Sequence, residues 1–365
     1  MVLDVNTEGG GARAAAQGGG DPLAGVVVER GARVAEAPAV TVIVPCYNVA
    51  QYVAEALDSV MRQTFDNYEC IVVNDGSADT EELERALAPY RERVVYVRQE
   101  NRGLSGARNT AIRISRASLI ALLDADDAWE PRYLEVQVGM MERDPSITVL
   151  YPNARIFGDA PDAGRTFMEV CPSEGEPTLE ALLDGRCIVF IGSTVRREAV
   201  ERAGMFDEEQ GRYITEDFDL WLRILQQGGR IAYHREVLAR YRRRADQITA
   251  DYVAVNKRVL RVLDKVERTF DLSPAERGSL ERQRARCLAE RSLHEGKRAF
   301  FDGDTAEAIA KLTEANAHLK SRKVAAAVVV MRLSPGLLRG LCRLRDHFAP
   351  ASGRARLRET MRGAD

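Results

Sequence analysis

From residue 40 onward the chain alternates short β-branched runs with amphipathic stretches, and this alternation narrows the possible folds more than any other feature of the sequence. Residues 40–45 (VTVIVP), 69–74 (ECIVVN), 94–98 and 118–123 (SLIALL) read as strands. Between them, residues 50–62 carry Tyr52, Val53, Ala56, Leu57 and Val60 at helical spacing, and residues 79–90 and 104–115 read as two further helices. Strands separated by helices imply parallel βαβ units in a sheet covered on both faces. Ligands of such sheets sit at the carboxyl ends of the strands.

The rest of the chain divides around that core. Residues 1–38 are rich in Gly and Ala, lack the apolar segment of a secretory signal, and read as a disordered leader. The α/β domain is expected over 39–250, a helical extension over 251–321 and a basic amphipathic segment over 322–365. Within the extension, residues 288–319 read as a helix–turn–helix pair broken at Asp302-Gly303-Asp304, similar to a single tetratricopeptide-type repeat. The last segment holds ten Lys/Arg against three Asp/Glu, interleaved with Leu337, Leu338, Leu341 and Leu344. It suits either an anionic membrane surface or a packed helix with a solvated Arg face. The longest apolar run, 324–331, is too short to span a bilayer.

A composition of 45% apolar and 29% charged residues is that of a globular protein, and a net charge of −3 gives no global sign of nucleic-acid binding, so no nucleic-acid partner is expected. The six cysteines are scattered with no CxxC pair, which argues against a zinc site and for a reducing compartment. The expected location is cytoplasmic, with peripheral contact at the inner face of the membrane through the basic segment.

Four polar clusters punctuate the α/β region. Pro45-Cys46-Tyr47-Asn48 closes the first strand, where Pro ends the ladder and opens either a plain turn or a ligand loop. In Asn74-Asp75-Gly76-Ser77-Ala78-Asp79, Gly76 permits a tight turn and Ser77 or Asp79 can cap the next helix. Capping leaves Asp75 unexplained; its carboxylate could accept the imino N–H of a uracil or a ribose hydroxyl. Asp124-Ala125-Asp126-Asp127 follows the most apolar strand, and three crowded carboxylates repel unless a cation neutralises them. Asp124 and Asp126, two apart, can face one ion, and oxygen-only ligation suits Mn²⁺ or Mg²⁺ with diphosphate oxygens completing the shell. The competing view makes Asp127 a helix cap. Last, Thr215-Glu216-Asp217-Phe218-Asp219-Leu220-Trp221 opens a helix with Thr215 as its N-cap. Its acids either compensate the helix dipole or include a proton acceptor, and Trp221 has the spacing of a core residue.

Taken in order, VTVIVPCYNVAQYVAEALDSVMRQTF, ECIVVNDGSADT, NRGLSGARNTAI, LIALLDADD and TEDFDLWLRI resemble the family 2 glycosyltransferases of the GT-A fold, over residues 40–249. The resemblance implies an α/β fold, a GT-A type Rossmann-like mixed, mostly parallel sheet with flanking helices, followed by an α-helical C-terminal region. It implies inverting transfer of a sugar from a nucleotide diphosphate sugar, UDP-sugar by family habit, to an acceptor hydroxyl. The acceptor would be a carbohydrate or lipid-linked, in cell-surface polysaccharide or glycolipid synthesis. By similarity, Pro45, Tyr47, Asn48 and Asp75 line the nucleoside pocket. Arg102 and Arg108 lie near the nucleotide or pair with neighbouring acids. Asp124, Ala125 and Asp126 form the D-x-D element that meets ribose and the Mn²⁺ or Mg²⁺ ion, with Asp127 assisting. Asp217 is the expected general base, with Glu216 beside it and Asp219 a rival. Residues 151–214 would build the acceptor side.

One position departs from the family. Members often read Tyr-Arg-x-His-x-x-Ser, whereas here Tyr241-Arg242-Arg243 is followed by Arg244 at the His position. A guanidinium cannot ligate a metal but can clamp phosphate. His234 reads as a strand-edge residue and not as a substitute ligand. Two other readings compete. A nucleotidyltransferase needs a Gly-rich, basic loop after the first strand, where this chain has PCYNVAQY. A non-catalytic, GT-A-like interaction protein would have no need of Asp75, Asp124, Asp126 and Asp217 together.

Overall fold

The structure, a computed structural model, describes residues 2–3, 21–208, 215–244 and 252–334. They fall into two compact units, one of residues 1–158, 162–178 and 187–242 and one of 159–161, 179–186 and 243–365.

In chain order the first unit opens with β1 (Val2–Leu3) and β2 (Val27–Arg30). It then repeats strand and helix: β3 (Val40–Cys46), α1 (Ala50–Met61), β4 (Tyr68–Asp75), α2 (Thr80–Leu87), β5 (Val95–Gln99), α3 (Gly103–Ile114) and β6 (Leu119–Leu122). After the acidic loop come β7 (Ala128–Trp129), α4 (Tyr133–Arg143), β8 (Ile147–Gly158) and α5 (Phe167–Val170). The chain then gives α6 (Leu179–Leu183) to the second unit and returns with β9 (Thr194–Arg196), α7 (Arg197–Arg202), α8 (Glu216–Gln226) and β10 (Arg230–Arg243).

One ten-stranded sheet, ordered β1-β2-β5-β4-β3-β6-β9-β8-β10-β7, organises the unit. Its centre is parallel: β3 pairs in parallel with β4 and β6, and β4 with β5. Antiparallel pairs β2–β5 and β6–β9 flank that centre, giving the mixed sheet the sequence implies. Every residue of β3 is buried, as a strand covered on both faces requires, and its Val and Ile satisfy this while the hydroxyl of Thr41 donates to Glu69. The helix expected to reach residue 90 stops at Leu87, because Pro89 lacks a donor and turns residues 88–93 into a 3₁₀ helix.

Part of the expected leader is structured. Val26, Val27 and Val28 supply a β-branched run that the open edge of β5 accepts, with Val28 opposite Val97. Arg30 also pairs at 2.9 Å with Glu69, a fully buried carboxylate that accepts from Thr41 and from the amide of Arg116 as well. Residues 4–20 lie outside the described residues.

The second unit holds α6, α9 (Tyr252–Thr269), α10 (Pro274–Asp302), α11 (Thr305–Leu319) and α12 (Arg322–Leu333). A capping box between Ser273 and Glu276, with Pro274 in the first turn, starts α10. The break expected at 302–304 is present: Gly303 takes φ +99° as the C-cap, and the Asp304 carboxylate accepts from the Glu307 amide at 3.0 Å. The two helices fold back on each other closely, since a Cβ on Gly296 would sit 2.8 Å from Leu312 Cγ. Phe300, Ala308, Leu312, Val328 and Met331 form the core there. Among the described residues no helix is long and apolar enough to cross a membrane.

Candidate active site

Because β3, β4, β5 and β6 run parallel, their carboxyl ends share one edge of the sheet. Cys46 lies opposite Asn74 and Asp75 opposite Gln99, while Asp124 follows the end of β6 by two residues. The four clusters are brought to this edge by register and by one set of buried ion pairs.

Asp75 ends β4 and is buried, with Oδ1 accepting from Gln99 Nε2 at 2.7 Å and from the backbone N–H of Arg102 at 2.8 Å. Gly76 turns the chain at φ +66°, where a Cβ would lie 2.7 Å from the amide nitrogen of Asn101. Only glycine fits that approach. The loop after β3 is stitched to this turn: the Ser77 hydroxyl accepts from the Asn48 amide, and Asn48 Oδ1 accepts from the Ala78 amide at 2.9 Å. Asp79 does not cap α2 as expected. Its Oδ2 accepts from the Ala50 amide at 2.9 Å and so serves α1, because parallel register sets the two loops side by side. Nor does Pro45 end the ladder, which continues with β4 to Cys46; only the β6 side stops earlier, at Ile43. Beyond it Tyr47 is 50% exposed, a ring open to a ligand.

The acidic loop turns tightly, the Asp127 amide donating to the Asp124 carbonyl at 2.9 Å. Asp127 is no helix cap, since β7 follows and pairs with β10. Its Oδ1 instead accepts from the backbone N–H of Arg242 at 2.7 Å, while Arg242 Nε donates to the Asp126 carbonyl at 2.7 Å. The same guanidinium pairs with Glu55 of α1 and lies over the rings of Phe157 and Tyr52, 4.2 and 4.9 Å from their centroids. Burial, then the charges of Asp126 and Asp124, push the Asp127 carboxyl well above the usual carboxylate range. Ala125 is buried, which leaves Asp124 and Asp126 as the half-exposed carboxylates of the loop.

Behind the loop stands Arg108, on α3 and only 1% exposed. One terminal nitrogen donates to Asp124 Oδ1 at 2.7 Å and the other to Glu216 Oε1 at the start of α8. The guanidinium carbon lies 5.3 Å from the centroid of the Phe206 ring. Thr215, expected as the N-cap of α8, makes no capping hydrogen bond and takes φ +91°, a strained value for a β-branched residue.

The acids of α8 divide cleanly. Asp219, the expected rival of Asp217, is buried and pairs at 2.6 Å with Arg223 one turn on. Glu216 is held by Arg108. Asp217 is half-buried, accepts from the Phe218 amide at 2.7 Å and forms no ion pair with a described residue. Burial, reinforced by Glu216 and opposed by Arg108, pushes its carboxyl up to about 7. Trp221 is core, as its spacing implies.

Of the two arginines expected near the nucleotide, both guanidiniums engage acids. Arg102 pairs with Glu208 at 3.0 Å and donates to the Pro22 carbonyl, meeting Asp75 only through its backbone amide. Arg244 follows directly on the end of β10. His234 lies half-buried within β10, where burial lowers its pKa. Sequence reasoning missed Arg242, Glu55 and the anchoring role of Glu216. Arg242 is the Arg of the Tyr-Arg-x-His pattern, but nothing local marks its pairing with Glu55, since the two stand 187 positions apart. Among the described residues no group of three or more His, Cys, Asp or Glu side chains is arranged to hold a metal ion.

The sequence model of the glycosyl transferase family 2 matches residues 41–242. An uncharacterised glycosyltransferase of Rickettsia prowazekii is 32% identical over 221 residues, covering 58% of this chain and 66% of that protein. The chain thus spans just under two thirds of that relative, and it matches 32% of the length of another from Rickettsia felis. Among solved structures, mannosyltransferase PcManGT from Pyrobaculum calidifontis, in complex with GDP-Man and Mn²⁺, has a TM-score of 0.55 at 23% identity, over 80% of this chain and 79% of that one. S. aureus TarS 1–349 in complex with UDP-GlcNAc has a TM-score of 0.52 at 16% identity, over 80% and 87%. At those identities the two structures show the shared fold.

Proposed function

The chain belongs to glycosyl transferase family 2, and we propose that it transfers a sugar, with inversion, from a nucleotide diphosphate sugar to an acceptor hydroxyl, with Asp217 as the base. One observation carries this reading: Arg108 bridges Asp124 to Glu216, which brings the D-x-D loop and the base helix within one side chain of each other.

In this reading the nucleoside rests at the sheet edge, where Asp75 is held rigid by two donors on one oxygen and Tyr47 offers an exposed ring. The two structural neighbours are complexes with UDP-GlcNAc and GDP-Man, which supports the class of donor; a uridine donor is favoured by the family resemblance alone. The acidic loop fits a divalent cation that arrives with its diphosphate. Asp124 and Asp126 are two half-exposed oxygen donors, and Mg²⁺ or Mn²⁺ is commonly held by one or two carboxylates with phosphate oxygens and water completing the shell. When bound, such a cation would neutralise charge on the leaving diphosphate. Asp217 accepts the acceptor hydroxyl's proton as that oxygen attacks the anomeric carbon from the face opposite the departing diphosphate. A carboxylate titrating near 7 is matched to that task at neutral pH, and inversion needs no second nucleophile.

The acceptor side is proposed as carbohydrate or lipid-linked, in cell-surface glycan synthesis. Helix α12 carries Arg322, Lys323 and Arg332 with no acid, and it exposes Val329 and Leu333 while Val328 and Met331 pack inward. That face suits peripheral contact with an anionic bilayer, which co-sedimentation with anionic against neutral vesicles would reveal. Residues 335–365 of the basic segment lie outside the described residues.

Calorimetric titration of UDP, GDP and dTDP, with Mn²⁺ and with EDTA, tests the core of the proposal. Metal-dependent binding of one nucleotide is expected and names the base. Folded protein that binds none of the three would overturn a transferase and favour a non-catalytic role.

A further inference from the structure

Arg108 is the largest charged side chain in the interior of the first unit, and its surroundings are unusual. Two carboxylates hold it, Asp124 at 2.7 Å and Glu216 at the other terminal nitrogen, and the charge of Asp217 acts on it as well. Glu216 Oε2 is buried with no hydrogen-bond partner among the described residues, so Arg108 supplies the only neutralising charge that Glu216 is seen to touch. A cation with this geometry cannot serve one carboxylate without affecting the others, because in a poorly solvated interior each pair interaction is strong and shared.

We infer that Arg108 is a positioning residue that couples the donor half of the site to the base half: it orients Asp124 for the donor and, through Glu216, fixes the first turn of α8 that carries Asp217. The inference rests on the proposed donor role of Asp124. It makes Glu216, which stands on the base helix, a determinant of donor affinity. Freed from Glu216, the guanidinium would settle wholly on Asp124 and hold that carboxylate away from the donor. A planar fork serves two carboxylates at once, whereas a lysine ammonium cannot span both in the same geometry.

The test is a thermodynamic cycle on nucleotide binding, read by calorimetry with UDP and Mn²⁺, beside turnover of the sugar donor. Glu216→Gln is expected to weaken UDP binding about tenfold in the native background, within the range for side chains sharing one network. In an Arg108→Lys background, which keeps the charge and guards against misfolding, the same substitution should add less than about twofold. Equal effects of Glu216→Gln in both backgrounds, or none on UDP affinity in the native one, would overturn the coupling. A native protein that binds no nucleotide would instead refute the proposed donor site, so the two failures are distinguishable.

Discussion

The backbone N–H of Arg242 donates to Oδ1 of Asp127 at 2.7 Å, tying together residues 115 positions apart. With Nε of the same residue on the Asp126 carbonyl and its terminal nitrogen on Glu55, β10 holds the acidic loop by both backbone and side chain. Arg242→Ala keeps the backbone bond but removes the other two and the stacking on Phe157. We expect nucleotide affinity to fall by roughly tenfold or more, with thermal stability lower by about 2–3 kcal/mol for the lost partly buried charge pair. Calorimetry and thermal denaturation on one preparation measure both. Unchanged nucleotide affinity in a folded variant would remove Arg242 from the support of the loop.

Asp217, the proposed base, sets the expected pH profile. Its folded-state carboxyl is raised to about 7, so the ionised form that the proposed base needs predominates only above that value. Turnover should fall about tenfold per pH unit below about 7, with donor affinity following a different profile. The linkage sign is opposite for stability. A raised carboxyl pKa disfavours the folded state once the group must ionise, so this penalty is absent below the ordinary carboxylate range and grows as pH rises toward about 7. Asp217→Asn should flatten that part of the stability curve and reduce turnover by about 10² to 10⁴-fold, while UDP binding stays within about threefold. Near-native turnover by the variant would move the base elsewhere.

Chelation offers a separate check on Asp124 and Asp126. Without a divalent cation these half-exposed carboxylates repel a diphosphate, so EDTA should weaken UDP binding by roughly tenfold or more while uridine, which has no phosphate, is unaffected. Equal affinity for UDP with and without EDTA would show that the loop acts without a metal.

Gly76→Ala probes the turn that carries Asp75. The left-handed φ and the 2.7 Å approach to the Asn101 amide act together, so a loss of about 2 kcal/mol or more is expected, or about 4–8 °C in melting temperature. Because Asn101 precedes the Arg102 amide that holds Asp75, nucleotide affinity should fall with it. A variant as stable as the native chain would mean the turn relaxes freely.

Much of the architecture was legible beforehand. The strands at 40–45, 69–74, 94–98 and 118–123 and the helices between them follow from apolar runs and 3.6-residue spacing, and the break at Gly303 follows from a residue that tolerates φ near +99°. Capping was less legible. Asp79 has the right composition and position to cap α2, yet it serves α1, because the nearest amide in space belongs to a neighbouring βα loop. The strand at Val27–Arg30 was hidden by the Gly-rich residues before it, and it forms only because β5 leaves an edge to pair with.

The sequence by itself determined the parallel centre of the sheet and the position of its acidic clusters, since burial of Val and Ile runs and the exclusion of carboxylates from them are local consequences of side-chain chemistry. Only the tertiary structure decided which carboxylates stay available. Glu216 and Asp127 are taken by Arg108 and by the backbone N–H of Arg242, and Asp217 is left half-buried and raised to about 7, whereas Asp219 pairs with Arg223 at a helical i,i+4 spacing that the sequence does show. Such pairing over 108 and 115 positions depends on distance and desolvation in the folded chain, and no spacing along the sequence encodes either.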